Sequence, residues 1–213
     1  MVLQIERLPH ENSKSDEALY ATFRPGVLDP CQSERQTAYM TDAQTLIPTW
    51  VDGALTPYDK LQAHLQGLRH KAVSVFVMQG DKTLIQQRAL EKYHTPGLWA
   101  NSCCTHPIWD ESPQDCAVRR LEQELGIQGL HPEFRDQVEY RAPVGGEMIE
   151  HEVVDIFVAQ APFDLNVTPN PAEVMNYDWI TLSDLARRIE AQPEAFTPWL
   201  KIYLSEHASR IFT

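Results

Sequence analysis

The chain has 213 residues, of which 43% are hydrophobic and 23% charged, with a formal net charge of −12. That length suits one domain with a proper core, and no apolar run approaches the roughly 20 residues a membrane-spanning helix needs. The acidic balance argues against nucleic acid or an anionic membrane as partner, because both require a clustered basic surface.

Residues 1–45 are polar, lack clear periodicity and contain Pro9, Pro25, Gly26 and Pro30. A poorly ordered N-terminal extension is expected there, with Met40 a candidate natural start. The opening MVLQIERLPHENSKSDE carries acids early and no sustained apolar stretch, so no secretory signal and a cytoplasmic location are expected. Cys31, Cys103, Cys104 and Cys116 do not make a disulfide scaffold and are expected as free thiols.

From Leu46 the texture changes, and residues 46–213 are expected to form the single domain. KAVSVFVM is a β-branched run closed by the turn signal Gln79-Gly80-Asp81-Lys82, followed by a second strand at TLIQQRA. The strongest helix signal is SPQDCAVRRLEQELG: Ser112 is the N-cap, Pro113 opens the first turn, Asp115 closes a capping box and Gly126 stops the helix. Strands follow at QVEYRA, EVVDIFVA and MNYDWI, with helices after Thr181 and after Thr197-Pro198. This order predicts an α+β (mixed α/β) domain with helices packed on a mixed sheet.

Three clusters could carry chemistry. Extended backbone over Asn101–Pro107 would turn Cys104 and His106 to one side and Cys103 to the other, although alone these residues also read as small core residues and a loop histidine. The same alternation over Ile149–Val153 puts Glu150 and Glu152 on one face and His151 on the other; two carboxylates on one face call for a cation or a shared proton. His64 and His70 are six residues apart and do not share a helical face, but Gly67 allows a turn that brings both inward. Three histidines and two glutamates would make an N/O site for Zn²⁺, Mn²⁺ or Mg²⁺ that needs no thiolate, leaving Cys104 to act as acid or base. In the capped helix Arg120 and Glu124 stand at i and i+4, which alone reads as an ordinary surface ion pair.

The helix ESPQDCAVRRLEQELGI (residues 111–127) resembles a Nudix box, with departures. The box would have glycine at Thr105 and glutamates at Arg120 and Gln123, and of its metal-binding acids only Glu124 remains. These losses argue against the alternative, a Nudix diphosphohydrolase. RHKAVSVFV, QQRALEKYHTPGLWANSCCTHP, RRLEQELGI, EYRA, IEHEVVDIFVA, PNPAEVMNYDWI and TPWL, in order from about Trp50 to Trp199, resemble the type I, non-flavin isopentenyl-diphosphate isomerases of the Nudix superfamily. Asp110 departs from that pattern, which usually has glycine there at a turn, with little consequence expected.

The resemblance implies a Nudix-like mixed sheet flanked by helices and conversion of isopentenyl diphosphate to dimethylallyl diphosphate. It implies a first metal, Zn²⁺ or Mn²⁺ (or Mg²⁺), held by His64, His70, His106, Glu150 and Glu152. It further implies a Mg²⁺ bridging the substrate diphosphate, with Glu124 as its protein carboxylate, in a pocket lined by Lys60, Arg88, Lys92 and Arg120. Local charge there would outweigh net charge. Cys104 and Glu152 would flank the isopentenyl group, Tyr140 would hydrogen-bond to Glu152, and Trp199 would offer its ring face to a carbocation. No flavin is expected, since no G-x-G-x-x-G fingerprint is present. Partners other than the small-molecule substrate are not expected, beyond a monomer or weak homo-oligomer.

Overall fold

The computed structural model describes residues 45–213; the extension expected over 1–45, with Met40 and Cys31, lies outside the described residues but for Thr45. The chain enters through a hairpin, β1 (Leu46–Val51) and β2 (Ala54–Asp59). Asp52 and Gly53 turn it at φ 51° and 82°, conformations that an Asp-Gly pair adopts at little cost. Helix α1 (Lys60–Gln66) follows, capped by the Asp59 carboxylate accepting from Gln62 N at 2.9 Å and ended by Gly67 at φ 60°.

Strand β3 (Arg69–Gln79) is the hub of the sheet. It runs antiparallel to β1, β4 (Lys82–Arg88) and β6 (Cys103–Thr105), and parallel to β8 (Met148–Gln160). β5 (Trp99–Asn101) and β9 (Val174–Thr181) pair with β4, and β7 (Glu133–Gly145) pairs with β8. The sheet is mixed, as the order of elements predicts, but the hairpin and the two short strands β5 and β6 are additions to the predicted strands.

Because side chains alternate along a strand, β3 supplies two cores. Ala72, Phe76 and Met78 pack beneath the C-terminal helices, whose Leu185, Leu200, Tyr203 and Ile211 are fully buried. These helices are α3 (Leu182–Ala191), α4 (Pro198–Ile202), a wide π-helical turn (Tyr203–His207) and α5 (Ala208–Ile211). Val73, Val75 and Val77 pack on the other face beneath α2 (Pro113–Leu125) through Cys116, Ala117, Leu121 and Leu125. Burying such aliphatic side chains contributes about 1.5–3 kcal/mol each relative to exposure.

The signals at the ends of α2 act as predicted. Ser112 Oγ accepts from Asp115 N at 3.1 Å and donates to Asp115 Oδ2 at 2.6 Å. Gly126 ends the helix at φ 64°, where a Cβ would lie 2.7 Å from the Thr168 carbonyl oxygen. Asp110, just before α2, has φ 67°, a left-handed conformation that favours glycine. Its side chain therefore carries a conformational cost that sequence reasoning set aside. Asp110→Gly is expected to raise stability by up to about 1 kcal/mol, the freer unfolded chain offsetting part of the relief. The urea midpoint should rise; a fall would show that aspartate is at ease there.

Candidate active site

A single row of side chains crosses three strands on the face beneath the C-terminal helices. His70 of β3 lies beside Glu152 of β8 in the parallel register, and Glu152 lies beside Tyr140 of β7 in the antiparallel one. The turn at Gly67 returns the chain so that His64 and His70 are both fully buried. His106, two residues beyond Cys104, completes a triangle of imidazoles with ring centres 4.7, 5.0 and 5.0 Å apart.

The hydrogen bonds fix which nitrogens are free. His64 Nδ1 is 2.6 Å from the Lys60 carbonyl oxygen and His70 Nδ1 is 2.7 Å from that of Leu68. Each ring donates to its carbonyl through Nδ1, leaving a buried Nε2 lone pair without a partner. A carbonyl on the far nitrogen is how metal-ligating histidines are commonly oriented. His106 Nε2 is 2.8 Å from Glu152 Oε1. One ligand atom each from His64, His70, His106 and Glu152 falls within 4.8 Å of all the others.

The electrostatics agree with the geometry. Burial, together with His106 and His70, pushes His64 down to about 2. Burial also brings His106 down to about 4 against the pull of Glu152. For Glu152 burial acts upward, but the His106 and His70 imidazoles outweigh it and hold the carboxyl well below its ordinary range. His64 and His106 held neutral beside an ionised Glu152 carboxylate are in the protonation states a divalent cation requires. The residues present fit such an ion.

Glu150 takes a different place. It is buried, and burial and Glu152 push its carboxyl well up. It falls in a second group with His64 and His94 that leaves out His70, His106 and Glu152, its Oε1 lying 3.8 Å from His94 Nδ1. Tyr140 Oη ties the two carboxyl groups together, donating its one hydrogen to Glu152 Oε2 at 2.6 Å and lying 2.8 Å from Glu150 Oε2. Sequence reasoning missed His94. Its neighbour Thr95 has φ 45°, a strained setting for a β-branched residue and invisible in sequence.

Strand β6 separates the two adjacent cysteines. Fully buried Cys103 faces α2, and its Sγ donates to Glu124 Oε1 at 3.4 Å. Half-buried Cys104 faces the opposite side, packs against the first core, and lines a pocket with His106, Glu150, Glu152 and Trp199. Burial and the nearby Glu152 carboxylate push the Cys104 thiol well up.

Lys60, Arg88, Lys92 and Arg120 line the same pocket. Lys92 Nζ reaches Glu173 Oε2 at 2.5 Å, and Arg120 Nη2 reaches Glu124 Oε1 at 2.7 Å and Glu173 Oε1 at 3.2 Å. The Arg120–Glu124 pair therefore corrects the surface-pair reading. Glu124 is 4% exposed and also accepts from Gln86 Nε2 at 2.8 Å; its neighbours come from β4 and β6, which helix spacing alone does not reveal. Glu173 and Gln86 were likewise not foreseen. Trp199 is both a core residue, 1% exposed, and a pocket wall, with the Arg88 guanidinium carbon 5.5 Å from its ring centre.

A NUDIX domain model matches residues 68–200. The chain is 65% identical over 167 residues to the isopentenyl-diphosphate Delta-isomerase of Dinoroseobacter shibae, covering 78% of this chain and 95% of that protein. It is also 65% identical over 167 residues to the enzyme of the same name from Cereibacter sphaeroides, covering 78% and 94%. In fold it is similar to the Deinococcus radiodurans protein DR0079, with TM-score 0.59 at 15% identity over 79% of this chain and 99% of that one. The MutT protein of Methanosarcina mazei gives TM-score 0.54 at 15% identity over 68% and 96%. A Nudix fold carrying this site, with relatives at 65% identity over nearly their whole length, places the chain in the isopentenyl-diphosphate Delta-isomerase family.

Proposed function

We propose that this chain converts isopentenyl diphosphate to dimethylallyl diphosphate. The observation that carries the reading is one pocket holding a thiol, an ionised carboxylate, an aromatic wall and four cationic side chains, in a chain 65% identical to named isomerases. A diphosphohydrolase is disfavoured because Arg120 and Gln123 stand where a hydrolytic box would carry glutamates.

The reaction adds a proton to the terminal alkene carbon, generates positive charge at the tertiary carbon, and removes a proton from the carbon on its other side. Cys104 and Glu152 are the two proton-transfer groups. Tyr140 holds the Glu152 carboxylate in place through its hydroxyl. Trp199 keeps water from a cation that water would trap and offers its π face to the charge. Lys60, Arg88, Lys92 and Arg120 bind the diphosphate, so Lys92 and Arg120 exchange part of their pairing with Glu173 for phosphate oxygens.

A divalent cation (Zn²⁺, Mn²⁺ or Mg²⁺) held by His64, His70, His106 and Glu152, with Glu150 beside them, would fix the Glu152 carboxylate, and Mg²⁺ at Glu124 would neutralise diphosphate charge. The reaction needs neither a flavin nor a macromolecular partner. Among the described residues no helix is long and apolar enough to cross a membrane, and a cytoplasmic location is part of the proposal.

The test is incubation with isopentenyl diphosphate, Mg²⁺ and trace Zn²⁺ or Mn²⁺, following dimethylallyl diphosphate and phosphate together. Isomer without phosphate is the expected result. Phosphate or diphosphate without isomer would mean that the box remnant hydrolyses.

A further inference from the structure

The Cys104 thiol has a polar neighbour that the proton transfers above leave unused. Ser74 on β3 stands opposite Cys104 on β6 in the antiparallel register, and its Oγ lies 2.8 Å from Cys104 Sγ. On its other side Ser74 Oγ lies 3.1 Å from Tyr203 Oη. Ser74 and Tyr203 are both fully buried, whereas Ala72 and Phe76, the neighbours of Ser74 on its face of β3, are apolar. Two hydroxyls in such a place carry a desolvation cost that packing alone does not require.

Tyr203 is held firmly. It follows Trp199 by one helical turn and opens the π-helical segment. Its ring packs edge-on against Phe76 at 6.2 Å and Tyr140 at 6.0 Å. π-Helical turns occur frequently at functional sites.

We propose that Ser74 and Tyr203 are positioning residues for Cys104, forming a hydrogen-bond chain that aims the sulfur at the isopentenyl group and serves it as thiol and as thiolate. The inference rests on the role of Cys104 given under the proposed function. A hydroxyl donates once and accepts twice, so the chain can run in either direction. With the thiol protonated, S–H donates to Ser74 and Ser74 donates to Tyr203. With the sulfur as thiolate, Tyr203 donates to Ser74 and Ser74 donates to the sulfur. No proton moves along the chain and no heavy atom shifts; only the two hydroxyl hydrogens rotate. The sulfur stays solvated in a pocket that excludes water, and its aim stays fixed through turnover.

The experiment measures kcat and KM for isopentenyl diphosphate on the full-length, metal-loaded protein and its variants Ser74→Ala, Ser74→Thr, Tyr203→Phe and the Ser74→Ala/Tyr203→Phe double. Ser74→Ala should lower kcat at least about tenfold with KM within about twofold, since a misaimed group impairs the chemical step rather than binding. Ser74→Thr keeps the hydroxyl and should restore most of the rate. Tyr203→Phe should lower kcat by a smaller factor, and the double variant should be no worse than Ser74→Ala because the chain is already broken. If Ser74→Ala fails to fold, the Ser74→Thr and Tyr203→Phe comparison decides the matter alone. Wild-type kcat in Ser74→Ala or Tyr203→Phe, with Cys104→Ala inactive, overturns the chain and leaves the reading of the site standing. Turnover retained by Cys104→Ala overturns that reading and this inference with it.

Discussion

Cys104→Ala is expected to reduce kcat by at least about 10³-fold, within the range for removing a positioned proton-transfer group. Cys103→Ala, one residue away, should keep much of the activity. The strand separates the two: Cys104 lines the pocket with Glu152 and Trp199, whereas Cys103 is buried under α2 against Glu124. Loss of the Cys103 contact with Glu124 should appear as a modest rise in KM, because Glu124 is proposed to act at the diphosphate end. Initial rates across substrate concentrations check this, and equal kcat losses in the two variants would sink the assignment.

Glu152→Gln is expected to have two effects at once. The shape is kept, but the negative charge that holds His106 Nε2 at 2.8 Å is lost. Turnover should fall by about 10³-fold or more, as for loss of a proton-transfer group. Divalent-metal affinity should fall by at least about 10–100-fold, the range seen even when only a partner of a ligand is removed. Chelator competition measures the second effect independently of activity. A variant that loses turnover but binds metal as tightly as the parent would make Glu152 a base and not a ligand. One that keeps both would remove it from the site.

Much of this site was legible in the sequence, because period-two alternation is a strong local signal. It separated Cys103 from Cys104 and put Glu150 and Glu152 on one face, with His151 left on the outside near Glu139. The ends of α2 were legible for the same reason, since capping is decided within four residues. Pairings between distant segments were not legible. That His70, Glu152 and Tyr140 form one row depends on β3 and β8 being parallel and in one particular register. The burial of Glu124 beside half-buried Arg120 depends on β4 and β6, which bring Gln86 and Cys103 to it. His94 was hidden because it reaches the pocket from the strained loop around Thr95, where no periodicity exists. The hairpin at Asp52-Gly53 was legible and passed over: the turn signal stands in the sequence between two β-prone runs.

The most direct measurement is to run the conversion in D₂O and locate deuterium in the product by NMR. Protonation of the alkene by a solvent-exchangeable group such as the Cys104 thiol or the Glu152 carboxyl puts deuterium in the newly formed methyl group of dimethylallyl diphosphate, and neither Cys104→Ala nor Glu152→Gln should yield that signal. Isomer formed in D₂O with no deuterium in that methyl group would contradict two separate proton transfers by exchangeable side chains and would require a direct hydrogen shift within the substrate.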